Sequence, residues 1–132
     1  MYMLDTNIII YAIKNKPKRV LENISAHEPS EVCISSITYA ELVYGVEKSK
    51  AVEKNWLALG LMLSNIKILD FDSKAAEEYG KIRTDLELKG KTIGNMDMLI
   101  AAHAKSQNLT IVTNNTKELE RIKEIKIENW AS

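Results

Sequence analysis

The sequence predicts an α/β fold: a central, mostly parallel five-stranded sheet flanked by helices. Three observations predict it. Short apolar or β-branched runs alternate with longer segments of helical periodicity, the pattern of strands joined by crossover helices. Residues that cap helices or make turns follow those runs directly. The two prolines and five glycines are scattered as local breakers, with no repeat or linker, so residues 1–132 are expected to form one domain.

Tyr2 to Leu4 is the first predicted strand, and Asp5-Thr6-Asn7 opens a helix through Ile8 to Ile13. Val32 to Ser35 is the second strand. Across Ser36 to Lys48, helical spacing gathers Ile37, Ala40 and Tyr44 on a face expected to be buried, with Glu41 at its border. The run from Trp56 to Leu63 is wide in apolar surface for an outer helix and is expected to meet a partner. Tyr39, Tyr44 and Trp56 are expected in the core or a subunit contact.

Ile66 to Leu69 is the third strand, and Asp70 and Asp72 are expected as turn and cap residues before a helix from Ser73 to Lys89, which Gly90 stops. Asn95 is expected to cap a helix from Met96 to Ser106, placing Asp97 in its first turn. Thr110 to Thr113 and Lys126 to Glu128 complete the sheet.

The composition narrows the function. A chain of 132 residues with 45% hydrophobic content can bury one substantial core. The eight-residue apolar run Trp56 to Leu63 is far short of the ~18 apolar residues that mark a membrane span, and nothing at the N-terminus has the form of a secretory signal, so a cytoplasmic protein is expected. Cys33, the only cysteine, excludes an intrachain disulfide and reads as a small buried hydrophobe. With 18 basic and 18 acidic side chains there is no global basic footprint. Local clusters (Lys14, Lys16, Lys18 and Arg19; Lys48, Lys50 and Lys54; Lys89 and Lys91) read first as solvated helix faces.

Three acids stand out because each is embedded in apolar sequence: Asp5 in YMLDTNIII, Glu41 in SITYAELVYG and Asp97 in GNMDMLIAAHA. Ionised carboxylates are rarely buried unless paired or bound to a cation. In a parallel sheet, ligands collect beyond the carboxyl ends of the strands, where Asp5 and the Thr113-Asn114-Asn115 segment both fall. Two carboxylates about 4 Å apart repel by roughly 4 kcal/mol at an effective dielectric of 20, which raises pKa values or recruits a cation. Oxygen donors without His or Cys favour Mg²⁺ or Mn²⁺. Each acid also has an ordinary role open to it: Asp5 as a helix cap, Glu41 paired with a lysine, Asp97 beside a helix dipole.

The phrases MLDTNIIIY, ITYAELVYG, GNMDMLIAAHA and IVTNNTKELERI, in this order and spacing, resemble the PIN-domain ribonucleases, in particular the VapC toxins of type II toxin–antitoxin modules. The likeness extends to the ending IKIENW. It implies a PIN-like fold and a Mg²⁺-dependent endoribonuclease that cuts structured RNA, with transfer RNA, at the initiator anticodon stem-loop, as the expected substrate. It also implies a homodimer and a VapB-type antitoxin that joins it in a larger complex. By the resemblance Asp5, Glu41 and Asp97 match metal-site acids, and Thr6 and Asn7 match a hydroxyl and an amide that support Asp5.

Many PIN domains carry a fourth acid where this chain has Asn115. The amide can offer a neutral oxygen, and Glu118 supplies the missing charge if its helix turns inward. The lost charge leads us to expect one firmly held ion and a second that arrives with RNA. Arg83 offers a fork for phosphate or pairs with Glu87 at i+4. His103 is expected to be a packed residue and His27 to be exposed. Two alternatives remain at this point: a PIN-like module that binds RNA or protein without cutting, and a Mg²⁺-binding receiver domain with Asp70 as phosphoacceptor.

Overall fold

The computed structural model describes residues 1–132. Five strands are present: β1 (Tyr2–Leu4), β2 (Val32–Ser35), β3 (Lys67–Leu69), β4 (Thr110–Val112) and β5 (Ile127–Glu128). They pair in the order β3-β2-β1-β4-β5, and every pairing is parallel, so the expected mostly parallel sheet is wholly parallel. Seven α-helices connect them: α1 (Thr6–Lys14), α2 (Lys18–Ala26), α3 (Ser36–Glu47), α4 (Val52–Leu63), α5 (Ser73–Leu88), α6 (Asn95–Ser106) and α7 (Thr116–Leu119).

Alternation along the central strands sends neighbouring side chains to opposite faces. Met3, Cys33 and Ile111 join one buried cluster with Ile82 and Leu86 of α5 and Met98, Ile100 and Ala101 of α6. Leu4, Val32, Ile34 and Val112 join the other, with Ile8, Ile9 and Ala12 of α1, Val20 of α2, Leu42 and Val46 of α3, and Leu59 of α4. Both faces are therefore covered, which explains why the inner strands read as apolar runs.

Side-chain capping holds at three of the seven helix starts, α1, α3 and α5. Asp5 accepts from the Ile8 amide at 3.1 Å, Ser35 from Ile37 at 3.1 Å, and Asp72 from Ala75 at 3.0 Å. Gly90, at φ +66°, follows α5 where only glycine adopts the turn without strain. At α6 the expectation fails: Gly94 takes the cap position, Asn95 is the first helical residue, and no side chain caps the helix.

Two other expectations are corrected, and one helix has no counterpart in the sequence reading. On α3 the core-facing residues are Thr38, Leu42 and Val46, spaced i, i+4, i+8, whereas Ala40 and Tyr44 are exposed. The helix packs against α1 and α4 along that stripe, with Ile37 and Tyr39 partly buried against the core and Tyr44 left open. Lys18–Ala26, notable in sequence only for its basic residues, forms α2 because Val20 anchors it in the core. His27 is not simply exposed: its ring stacks on Trp130 at 4.6 Å, with Tyr2 edge-on at 4.8 Å, so the end of the chain is clasped beside β1.

Leu86 is fully buried where α5 packs on α6. Leu86→Ala is expected to destabilise the protein by about 2–5 kcal/mol, measured by urea unfolding. A loss below about 1 kcal/mol would contradict this packing.

Candidate active site

The chain leaves β1 toward β2 and β3, then returns to β1's other side for β4, so a topological switch lies between β1 and β4. Leu4 is in register with Val112, and the Asp5 amide donates to the Val112 carbonyl at 3.0 Å. Asp5 and Thr113 thus stand side by side at the carboxyl edge. Asp5 is 6% exposed and Thr113 is fully buried.

Burial is the largest influence on Asp5 and pushes its carboxyl from an ordinary 3.8 up to about 6; the charges of Asp97 and Glu41 push the same way. The Thr113 hydroxyl and the Ile8 amide partly oppose the rise. Asp97, in the first turn of α6, is also raised, first by burial and further by Glu118, while Asn115 works against it. The four acids belong to one electrostatic neighbourhood. None of them pairs with a lysine or arginine, since the molecule's ion pairs use Asp85, Glu78 and Glu87.

Second contacts differ from the expectation. Thr6 does not support Asp5; its hydroxyl donates to Glu41 Oε1 at 2.5 Å, tying α1 to α3. Asn7 is exposed and makes no side-chain hydrogen bond, because the first turn of α1 points it outward. Thr113, expected with them in a supporting role, is the one whose hydroxyl bonds Asp5, and its Oγ1 also accepts from the Asn115 backbone N–H at 3.0 Å. Asn115 turns its nitrogen, not its oxygen, to the acids: Nδ2 donates to Asp97 at 3.1 Å and to Glu118 at 2.9 Å. Only a donor is tolerated between two carboxylates, so Asn115 acts here as a brace, and α7 does turn Glu118 inward.

Sequence reasoning missed the bond from Asn114 Nδ2 to the Tyr11 hydroxyl at 2.8 Å, which ties the loop after β4 to α1. Paired amides directly after a strand were its only signal. Arg83 takes its alternative role, bonding Glu87 at 3.2 Å and Tyr79 at 2.8 Å without touching any pocket acid. His103 is the packed residue expected: it is fully buried, bonded through Nδ1 to Ser35 at 2.7 Å, set edge-on to Phe71 and lowered in pKa by burial. Cys33 is fully buried, and its thiol is pushed up to about 11 mainly by desolvation, which keeps it unreactive.

The donor set fits a hard divalent cation, since it is all oxygen and carries uncompensated negative charge. As packed, no three acids stand close enough together to enclose an ion. Asn115 Nδ2 and the Thr6 hydroxyl hold three of the four acids in hydrogen bonds instead.

A parallel sheet with unpaired acids beside its switch point defines a class of α/β proteins whose carboxyl-edge site a divalent cation would neutralise. The chain belongs to the PIN-domain family, which it matches over residues 2–125, and within it to the VapC group. It is 49% identical over 131 residues to Ribonuclease VapC2 of Rickettsia felis, covering 98% of each chain. It is 45% identical over 130 residues to the tRNA(fMet)-specific endonuclease VapC of Shigella flexneri, again covering 98% of each. The crystal structure of DNA-bound VapBC from Salmonella typhimurium superposes with a TM-score of 0.92 at 47% identity, over 98% of this chain and 97% of that one. Membership removes the receiver alternative, as does the position of Asp70 after the edge strand β3.

A carboxyl raised to about 6 keeps, between pH 4 and 6, a proton that the unfolded chain has released. Folding stability therefore falls as pH rises through that window. At about 1.4 kcal/mol per pH unit, ionised Asp5 costs roughly 3 kcal/mol near neutrality. In metal-free protein, Asp5→Asn should be more stable than wild type by up to that amount at pH 7 to 8, the gain vanishing near pH 4, as followed by urea unfolding. A gain that did not change with pH would count against this account of Asp5.

Proposed function

We propose that this chain is the toxin of a type II toxin–antitoxin module, a divalent-metal-dependent endoribonuclease that cuts transfer RNA at the initiator anticodon stem-loop. The observation that carries the reading is that Asp5, Glu41, Asp97 and Glu118 share one electrostatic neighbourhood at the switch point with no lysine or arginine paired to any of them. Asp5 and Asp97 would hold Mg²⁺, with Mn²⁺ as a substitute, and Glu41 would bind a second ion or its water. A bound divalent ion supplies Lewis-acid chemistry: it activates water and stabilises the leaving oxygen of a phosphodiester.

The chain's own residues set up that chemistry. Thr113 and the Ile8 amide orient Asp5, the Thr6 hydroxyl fixes Glu41, and Asn115 holds Asp97 and Glu118 together. The loss of a fourth acid at Asn115 is partly offset by Glu118. The substrate assignment draws support from the Shigella flexneri relative, whose name specifies tRNA(fMet). No helix is long and apolar enough to cross a membrane, and we place the protein in the cytoplasm, where transfer RNA is found.

A VapB-type antitoxin as partner is supported by the VapBC complexes of similar chains. The surface suited to it is an apolar groove of about 650 Å³ between α2 and α4, lined by Leu21, Ile24, Ala58, Leu61 and Met62. Leu57 and Leu61 stand 67% and 70% exposed on α4. A homodimer within the larger complex completes the assembly.

Brief induction in cells followed by mapping of new RNA ends should show discrete transfer-RNA cuts with wild type and at least a 100-fold loss, on the order of a lost metal ligand's effect, with Asp5→Asn or Asp97→Asn. Full cleavage by either variant would refute the assignment of roles. Leu61→Glu should weaken antitoxin binding, measured by calorimetry, while leaving metal-dependent cleavage intact; equal affinity would exclude this groove.

A further inference from the structure

The corrected orientation of α3 leaves an aromatic side chain in an unusual position. Tyr44 is 66% exposed, on a helix whose core contacts are made by Thr38, Leu42 and Val46. Lys48 lies one turn on, its Nζ 4.7 Å from the centre of the Tyr44 ring. At about 100° and about 1.5 Å per residue, Tyr44 and Lys48 sit within about 60° and about 20° of Glu41 around the helix, and about 5 Å and about 10 Å farther along it. Glu41 is the acid that Thr6 pins at the pocket. The Tyr44-Lys48 pair therefore continues the pocket along one face of α3.

We propose that Tyr44 and Lys48 bind the RNA strand beside the scissile phosphate, the Tyr44 ring stacking on a nucleobase and the Lys48 ammonium meeting a phosphate. The proposal rests on the ribonuclease reading and adds to it the residues that seat the strand. An open aromatic ring next to a fixed positive charge is the combination that single-stranded nucleic acid uses, because every base has a π-face and every linkage a negative charge. Lys50 and Lys54, both exposed, extend the positive charge beyond the end of α3. The nearest acid on this stretch, Glu47, accepts from Trp56 Nε1 at 3.4 Å. The charge arrangement also answers a need of the site: an acidic pocket repels RNA, so an adjacent cationic and stacking surface must hold the strand in place.

The test uses full-length protein carrying Asp97→Asn, so that RNA is bound and not cut, and a fluorescein-labelled single-stranded RNA of about 12 nucleotides read by anisotropy. Tyr44→Ala should weaken binding about tenfold or more, the effect of losing one stacked aromatic, and Tyr44→Phe should bind within about twofold of the parent. Lys48→Gln should reduce the slope of log Kd against log salt by about 0.7. An abasic RNA of the same length should be insensitive to Tyr44→Ala.

Unchanged affinity of Tyr44→Ala overturns the proposal, as does a change of oligomeric state at unchanged RNA affinity, which would make this face a protein contact. In the Asp97-intact protein the same variant should raise KM for cleavage with little change in kcat. If wild type cuts RNA and Tyr44→Ala matches it in KM, the stacking surface fails alone. If wild type neither binds nor cuts RNA, the ribonuclease reading fails with it.

Discussion

The burial of the Asp5 carboxylate without a counter-charge is the constraint on which the rest of this structure depends. β1 is the central strand, covered on both faces, so the residue that follows it cannot reach water freely. Its amide is committed to Val112 and its side chain to the start of α1, which leaves the carboxyl one direction in which to point. Charge there raises the energy of the fold, and the surrounding groups only moderate it. A site that stores unfavourable electrostatics at a sheet edge is one that a cation stabilises on arrival.

The polar groups around Asp5 form two braces. On one side Thr6 joins α1 to Glu41 of α3; on the other Thr113 and Asn115 join the end of β4 to Asp5, Asp97 and Glu118. Both use neutral donors, which hold carboxylates in position without cancelling their charge. A lysine in either place would lower the energy of the empty pocket and compete with a metal for it. Asn115, which in sequence looks like a weakened ligand, is in three dimensions the donor that lets Asp97 and Glu118 share a small space.

Much of the fold could be read in advance because its signals are local. Five strand positions, the caps at Asp5 and Asp72 and the stop at Gly90 follow from side-chain chemistry within a few residues. The errors concern the direction of a face. Ile37, Ala40 and Tyr44 make as good a helical stripe as Thr38, Leu42 and Val46, and only the placement of α1 and α4 decides between them. His27 looked exposed because its partners, Tyr2 and Trp130, are distant in sequence.

By itself the sequence determined the α/β class, the family and the identity of the acids, because periodicity, capping and motif order are carried by neighbouring residues. Only the tertiary structure decided which polar group serves which acid: Thr6 for Glu41, Thr113 for Asp5, Asn115 nitrogen-first between Asp97 and Glu118. It also decided that Tyr44 faces outward. Apart from the Asn115–Glu118 bond, these depend on contacts between residues 18 to 108 positions apart in a pocket whose electrostatics sum over all of them, and no local pattern encodes that sum.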